Sequence, residues 1–305
     1  MKVLVTGSSG FIGSHLCRYL RKQGVEVLGT VRNQEETKDG VKRVVLDLLE
    51  KDNVEKVILD FKPDVIFHLA GQTLVMPSWG DPEQTFKTNI FTTLYILETV
   101  VKFKLESRVV IFSSAAIYDS STKKIDENSK LSPNSPYGLS KITVDYLASL
   151  YSKGKKVDTV RIRPFFIVGP GKTSDVISDF AKRIIEIENG VATGMKVGNL
   201  RGVRDFVDIE DAISAIWLIA QKGNSGEVYN LSSGKGVRIA EVLNMLISLS
   251  RKKIKIISDK KLYRPIDEDY KVGNNSKLTK LGWKQKITLI ETLEKTLNFW
   301  RVKKP

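Results

Sequence analysis

Apolar, β-branched runs recur along the chain at Lys2–Thr6, Val25–Val31, Val44–Leu46, Asp64–Leu69, Arg108–Ser113, Thr159–Ile162 and Glu227–Leu231. Between them lie segments such as Phe11–Lys22, Val54–Phe61 and Gln84–Phe103, where apolar residues return at i, i+3 and i+4. That is the period of a helix with one buried face. Strands alternating with helices predict right-handed crossovers and an α/β fold, a doubly wound parallel sheet with helices on both faces. The run from Asp64 to Ala70 is apolar nearly throughout, as a strand covered on both faces would be. Beyond about residue 165 the alternation loosens, and Gly, Pro and Asn become frequent in GPGKTSD, KVGNLRG and LSSGKG.

Directly after the first strand comes Gly7-Ser-Ser-Gly10-Phe-Ile-Gly13, opening an amphipathic helix. The spacing is a variant of the dinucleotide fingerprint. Gly7 permits the tight turn, Gly10 lets backbone N–H groups approach a pyrophosphate, and Gly13 permits close packing of helix on strand. The helix N-terminus adds partial positive charge. Residues 1–165 are therefore expected to form an NAD(P)-binding Rossmann domain. Residues 166–305 would supply a smaller, mainly substrate-binding region, with some segments returning to the main sheet. After the second strand the segment reads Gly29-Thr30-Val31-Arg32-Asn33, with no acid before Glu35. An NAD site usually places an acid there for the ribose hydroxyls. Arg32 suits a 2′-phosphate instead, so NADP(H) is favoured, with NAD(H) as the alternative.

Ser135-Pro-Tyr137-Gly-Leu-Ser-Lys141 opens a helix running to about Ser152. Tyr137 and Lys141, at i and i+4, share one face of it. A neighbouring ammonium stabilises a phenolate, which predicts a Tyr137 phenol lowered toward neutrality. The same lysine can reach a nicotinamide ribose. Upstream, the fifth strand ends in Phe112-Ser-Ser114-Ala-Ala-Ile-Tyr118, at the sheet edge where ligands bind. Ser114 would hold the carbonyl or alcohol oxygen whose proton Tyr137 exchanges.

Composition narrows the setting. The 305 residues are enough to bury a core without a disulfide or metal staple. The lone Cys17 makes no bridge and no ligand cluster, and no metal is expected. The opening MKVLVTGSSG lacks the features of a signal peptide. No apolar stretch reaches the roughly 18 residues of a membrane span, and a cytoplasmic protein is expected. The net charge is +14, but residues 251–305 hold 16 Lys/Arg against 6 Asp/Glu and so carry +10 of it. Lys252, Lys253, Lys255, Lys260 and Lys261 lie among apolar residues without a nucleic-acid motif. They read as a solvated face with at most a mild pull on an anionic substrate.

The segments TGSSGFIGSHL (Thr6–Leu16), HLAGQT (His68–Thr73), Asn89 in KTNIFTT, SSAAIY, SPYGLSK, Arg204-Asp205-Phe206 and VYNLSSG (Val228–Gly234) carry a family resemblance. Over nearly its full length the chain resembles extended short-chain dehydrogenases/reductases of the nucleotide-sugar epimerase/dehydratase group. Within that group it is most similar to reductases of GDP-4-keto-6-deoxymannose. HLAGQTLV, GPGKTSDVISDFAKRI, KVGNLRGVRDFVD, YNLSSGKG and Arg264-Pro265-Ile266-Asp267 carry that closer likeness.

The resemblance implies Ser114, Tyr137 and Lys141 as the catalytic set. It places the cofactor on Gly7, Ser9, Gly10, Phe11, Ile12 and Gly13, with Asp47 and Leu48 at the adenine. Leu69, Ala70, Gly71 and Asn89 would line the cofactor groove. Ser78, Arg204, Asn230, Arg238 and Arg264, with Ser114, would face a nucleotide-diphosphate sugar. It also implies a structural His68. Helices near Gln84–Phe103 and Tyr137–Ser152 would pair across a two-fold axis into a homodimer. Trp79, Trp217, Trp283 and Trp300 are expected to be packing residues.

Three reactions share this catalytic set. A 4,6-dehydratase needs an acid–base pair after the Ser, where Ala115 and Ala116 transfer no protons. A UDP-glucose-type 4-epimerase fits those alanines but fits the missing acid after the second strand less well. A 4-keto reductase fits Arg32. One departure stands against it: Phe166 and Ile167 occupy positions where the similar reductases carry Asn-His.

Overall fold

Within Lys2–Thr6, Val3 and Val5 pack into one apolar core and Leu4 into another on the opposite face, the two-residue period of a strand. In the computed structural model, which describes residues 1–33, 39–263 and 269–303, this is strand β1. It is followed by β2 (Glu26–Val31), β3 (Lys42–Val45), β4 (Val65–His68), β5 (Arg108–Phe112) and β6 (Thr159–Pro164). The helices between them are α1 (Phe11–Lys22), α2 (Lys51–Phe61), α3 (Val75–Gly80), α4 (Pro82–Phe86), α5 (Thr92–Lys102) and α6 (Pro136–Lys155).

The second half supplies β7 (Phe166–Val168), α7 (Val176–Glu188), β8 (Met195–Val197), β9 (Val203–Asp208), α8 (Ile209–Lys222) and β10 (Val228–Leu231). Then come β11 (Gly236–Arg238), α9 (Ile239–Ser248), β12 (Ile256–Ser258), β13 (Tyr270–Lys271), α10 (Ser276–Lys280) and α11 (Leu289–Lys303).

Seven strands form one parallel sheet in the order β10-β6-β5-β4-β1-β2-β3. Its order reverses between β1 and β4, which pair with Thr6 opposite His68. Ligands of doubly wound sheets bind in the crevice at such a switch point. Leu16, Cys17 and Leu20 of α1 and Ala212, Ile216 and Ile219 of α8 cover one face. Val54, Ile96 and Val144, from α2, α5 and α6, cover the other. The remaining elements build a lobe beyond the strand ends. There β11, β9 and β13 form a small sheet joined by β7, and α7, α9 and α11 enclose Phe180, Leu243, Leu297 and Trp300.

The expected helix Gln84–Phe103 is not one regular helix. Between α4 and α5 the chain makes a π turn at Lys87–Phe91. Threonine hydroxyls reinforce the segment by bonding carbonyls one turn back. Thr85 donates to the Asp81 carbonyl at 2.9 Å, Thr92 to Thr88 at 2.6 Å and Thr93 to Asn89 at 2.8 Å. Thr88 likewise donates to Gln84. The departure is confined to one turn, too short to disturb an apolar period read over twenty residues.

Candidate active site

A cleft of about 2160 Å³ opens where the ends of β1, β4 and β5 face the lobe. That is roughly twice the largest pockets that hold one drug-sized ligand, about 1,000 Å³, and leaves room for two. Its floor begins at the glycine turn. Gly7 sits at φ +66°, where a Cβ would come within 2.9 Å of the Ala70 backbone. A Cβ on Gly13 would fall on the Gly7 carbonyl oxygen. The turn therefore lies flat against the next strand end. Helix α1 starts with no side-chain cap on Gly10 and no acid in its first turn. Its leading N–H groups are left for an anion, which suits a dinucleotide diphosphate. Gly7, Ser9, Gly10, Phe11, Ile12 and Gly13 all line this part of the cleft.

Arg32 is exposed on the cleft wall past β2, and Asp47 is exposed beside the buried Leu48. The Asp47 carboxylate accepts the Leu49 N–H at 2.9 Å. Leu69, Ala70 and Gly71 line the wall after β4. Asn89 does not reach the cleft surface and stands behind that wall. Its amide accepts the Gln72 N–H at 2.8 Å and donates to the Gln72 carbonyl at 3.0 Å and to Ser140 at 2.8 Å. It thus ties the loop after β4 to α6, and the π turn carries it there. Glu35 lies outside the described residues.

His68 is held in a one-way chain. The Thr92 hydroxyl donates to the Thr88 carbonyl and so can only accept from His68 Nε2, 3.2 Å away. Nδ1 then accepts from the Thr6 hydroxyl at 2.9 Å, whose oxygen takes the Ala70 N–H at 3.1 Å. The donor inventory thereby fixes the tautomer. Burial lowers the imidazole to about 3, so His68 is neutral and structural.

Ser114, Tyr137 and Lys141 meet on the cleft. Ser135 caps α6 by accepting the Gly138 N–H at 3.1 Å, and Pro136 occupies the first helical position. The Ser114 oxygen accepts the Ala116 N–H at 3.1 Å, which leaves its proton to donate. Burial raises the Tyr137 phenol, and the facing Ser114 hydroxyl pulls it back in part. The expected lowering by Lys141 is not found; its ammonium donates to the Phe112 carbonyl at 2.9 Å. Burial brings that ammonium down to about 8.

The residues expected at the sugar nucleotide separate. Arg204 lines the cleft, its guanidinium 5.6 Å from the centre of the Phe166 ring. Phe166 therefore carries a cation. Ser78 is fully buried; it donates to the Val75 carbonyl at 2.6 Å and accepts the Tyr137 N–H at 3.1 Å. It anchors the start of α6 and does not face substrate. Asn230 is equally buried, accepting from Tyr118 at 2.7 Å and donating to the Ile125 carbonyl at 2.9 Å. Arg238 is exposed at the start of α9 and does not itself line the cleft, although the adjoining Ile239 does. Arg264 lies outside the described residues.

Sequence reasoning passed over Lys172, Arg183 and Lys271, which all line the cleft. Arg183 donates to the Lys196 carbonyl, and the buried Lys271 donates to the Tyr118 carbonyl at 3.1 Å. Trp217, Trp283 and Trp300 are buried, whereas Trp79 is 55% exposed on the cleft rim and is not a packing residue.

A glycine turn at the switch point, a serine at the next strand end and a Tyr–Lys pair on the helix behind it define an extended short-chain dehydrogenase/reductase. The chain belongs to the family described as GDP-mannose 4,6 dehydratase, whose model matches residues 4–296. It is 30% identical to a GDP-6-deoxy-D-mannose reductase from Pseudomonas aeruginosa, over 98% of this chain and 97% of that protein. The structure of RMD from Pseudomonas aeruginosa complexed with NADPH superposes with a TM-score of 0.88, 29% identity and 99% of each chain covered. A UDP-glucose 4-epimerase from Thermus thermophilus, solved with NAD, superposes with a TM-score of 0.89, 27% identity and 99% of each chain covered. The chain is accordingly an enzyme of the nucleotide-sugar reductase, epimerase and dehydratase group, and it uses a nicotinamide cofactor. Among the described residues no helix is long and apolar enough to cross a membrane, and no cluster of ligating side chains forms a metal site.

Proposed function

We propose that this enzyme is an NADPH-dependent reductase of a nucleotide-linked 4-keto-6-deoxyhexose, of the GDP-4-keto-6-deoxymannose type. Arg32 carries the choice over an epimerase. It stands on the cleft wall where a 2′-phosphate would sit, and a reductase consumes a cofactor that an epimerase must keep. The relative that reduces a GDP-deoxysugar, 30% identical, supports the same reading.

When bound, the nicotinamide supplies hydride to C4 of the keto sugar. Ser114, whose oxygen is already engaged by Ala116 N–H, donates a hydrogen bond to the C4 carbonyl oxygen and polarises it while keeping its proton. Tyr137 gives its phenolic proton to the alkoxide that forms. Lys141 has donors to spare beyond the Phe112 carbonyl and holds the nicotinamide ribose, while the Ser114 hydroxyl stabilises the phenolate left behind. Arg204 and Arg183 serve the sugar-nucleotide diphosphate. Ala115 and Ala116 leave no second acid–base group beside Ser114, which disfavours water elimination.

Phe91, Leu139, Tyr146 and Leu150, each at least 43% exposed, form an apolar surface on the π turn and α6 that supports a symmetric homodimer. An activity that draws on nicotinamide and nucleotide sugars is assigned to the cytoplasm. The 4-epimerase is the second reading, favoured by the similar structure that holds NAD.

The deciding experiment denatures the purified protein, assays any released nicotinamide, and supplies NADPH with GDP-4-keto-6-deoxymannose. Stoichiometric loss of reduced-nicotinamide absorbance by an initially empty protein is expected. Tightly retained NAD without net consumption would reject the reductase and select the epimerase.

A further inference from the structure

The loop after β7, residues 170–175, forms the cleft wall facing the glycine turn. It carries one lysine, Lys172, whose ammonium donates to the Ile167 carbonyl and stands 3.6 Å from Asp175 Oδ2. It also lies 5.6 Å from the centre of the Phe11 ring. Phe11 is the first residue of α1, so the ammonium stands beside the side chain that opens the helix whose end suits a diphosphate. Asp175 spends its other oxygen on capping α7, accepting the Ser178 N–H at 2.7 Å. Its Oδ2 is buried without a hydrogen-bond partner. An ammonium has three donors; Ile167 takes one, and 3.6 Å to Asp175 is too long for a second.

We propose that Lys172 is a cofactor-binding residue contributed by the substrate-side lobe, donating to the diphosphate of the nicotinamide dinucleotide from the side opposite the α1 N-terminus. The glycine turn and the first turn of α1 meet that diphosphate with backbone N–H groups and no charged side chain, and Lys172 supplies a full charge across the cleft. Asp175 keeps the ammonium near the mouth when no phosphate is there and competes with the phosphate when it arrives. Because Lys172 sits on the loop that leads into α7 and Arg183, dinucleotide binding also sets the wall against which the sugar nucleotide rests. The inference rests on the dinucleotide reading of the glycine turn, and not on which sugar is reduced.

The test titrates NADPH, NADH and GDP separately into the parent, Lys172→Gln, Lys172→Arg and Asp175→Asn, read by fluorescence, with melting curves confirming folding. Loss of a charge-assisted bond predicts about tenfold or weaker binding of both dinucleotides to Lys172→Gln. Lys172→Arg is expected to restore most of the loss, and GDP affinity to stay unchanged. Asp175→Asn, which keeps the cap, removes the competitor and tightens both dinucleotides. Equal weakening by Lys172→Gln and Asp175→Asn would mean a structural role and overturn the proposal. Lys172→Gln binding within twofold of the parent would also overturn it. So would a loss confined to NADPH, which would move the ammonium to the 2′-phosphate, or a loss confined to GDP. A parent that binds neither dinucleotide would instead defeat the cofactor assignment, whichever sugar is used.

Discussion

Asp145 sits one helical turn beyond Lys141 on α6 and is fully buried. Its carboxylate takes two hydrogen bonds from Arg163, at 2.8 and 2.9 Å, and one from Arg161 at 2.9 Å. Replacing it with Ala leaves Arg163, itself 3% exposed, as an uncompensated buried charge. Breaking one side of such a pair costs about 3–5 kcal/mol. Unfolding entropy of about 2.1 cal/mol/K per residue gives roughly 0.6 kcal/mol/K for this 305-residue chain. Asp145→Ala is therefore expected to lower the melting temperature by about 5–8 °C in calorimetry. The double change Asp145→Leu with Arg163→Met removes both charges and should recover most of that loss. Burial opposes ionisation of Asp145, but the Arg163 hydrogen bonds and the two guanidinium charges outweigh it and hold the carboxyl below its usual range. A folded value below the unfolded one, about 3.9, means that this contribution is present at neutral pH and lost as pH falls below about 4. A single mutant melting within about 2 °C of the parent, or a double mutant no better than the single, would refute the reasoning.

Tyr137→Phe should lower turnover by about 10²- to 10⁴-fold while NADPH affinity, measured by fluorescence, stays within twofold. Arg32→Ala should weaken NADPH by about tenfold and leave NADH unchanged, which competition titrations resolve. Burial holds the folded His68 near 3, below its unfolded value of about 6.5, so the unfolded chain binds the proton first and stability falls as pH drops. Urea midpoints at pH 7 and pH 5 should differ more in the parent than in His68→Gln. Leu150→Glu with Tyr146→Glu should convert the proposed homodimer to monomer in light scattering, and an unchanged mass would remove that surface from consideration.

The sheet and the chemical centre were legible because each has a local signature. Seven apolar runs name the seven strands, and the Gly7–Gly13 spacing fixes the switch point. Tyr137 and Lys141 share a helix face by arithmetic alone. Ser78 and Asn230 were misplaced for the opposite reason. A buried polar side chain inside a family motif looks the same in sequence whether it faces a ligand or another part of the chain. Asn230 meets Tyr118 across 112 positions and Ser78 meets Tyr137 across 59, distances over which no periodicity speaks. Lys172 and Lys271 carried no signal, since a lysine in a loop or short strand reads as solvated. Phe166 reads as a lost polar contact until the structure shows Arg204 standing over its ring.

The chain from Ala70 N–H through Thr6, His68 and Thr92 to the Thr88 carbonyl runs in one direction. That polarity restricts how this enzyme can drift. A valine at position 6 strands both His68 Nδ1 and the Ala70 amide, and a glutamine at 68 must present its donor and acceptor in the same order as the imidazole. Each such change is costly alone and tolerable only once a neighbour has already changed. The three side chains are thus inherited as a block, with sign epistasis among them, directly behind the wall of the cleft.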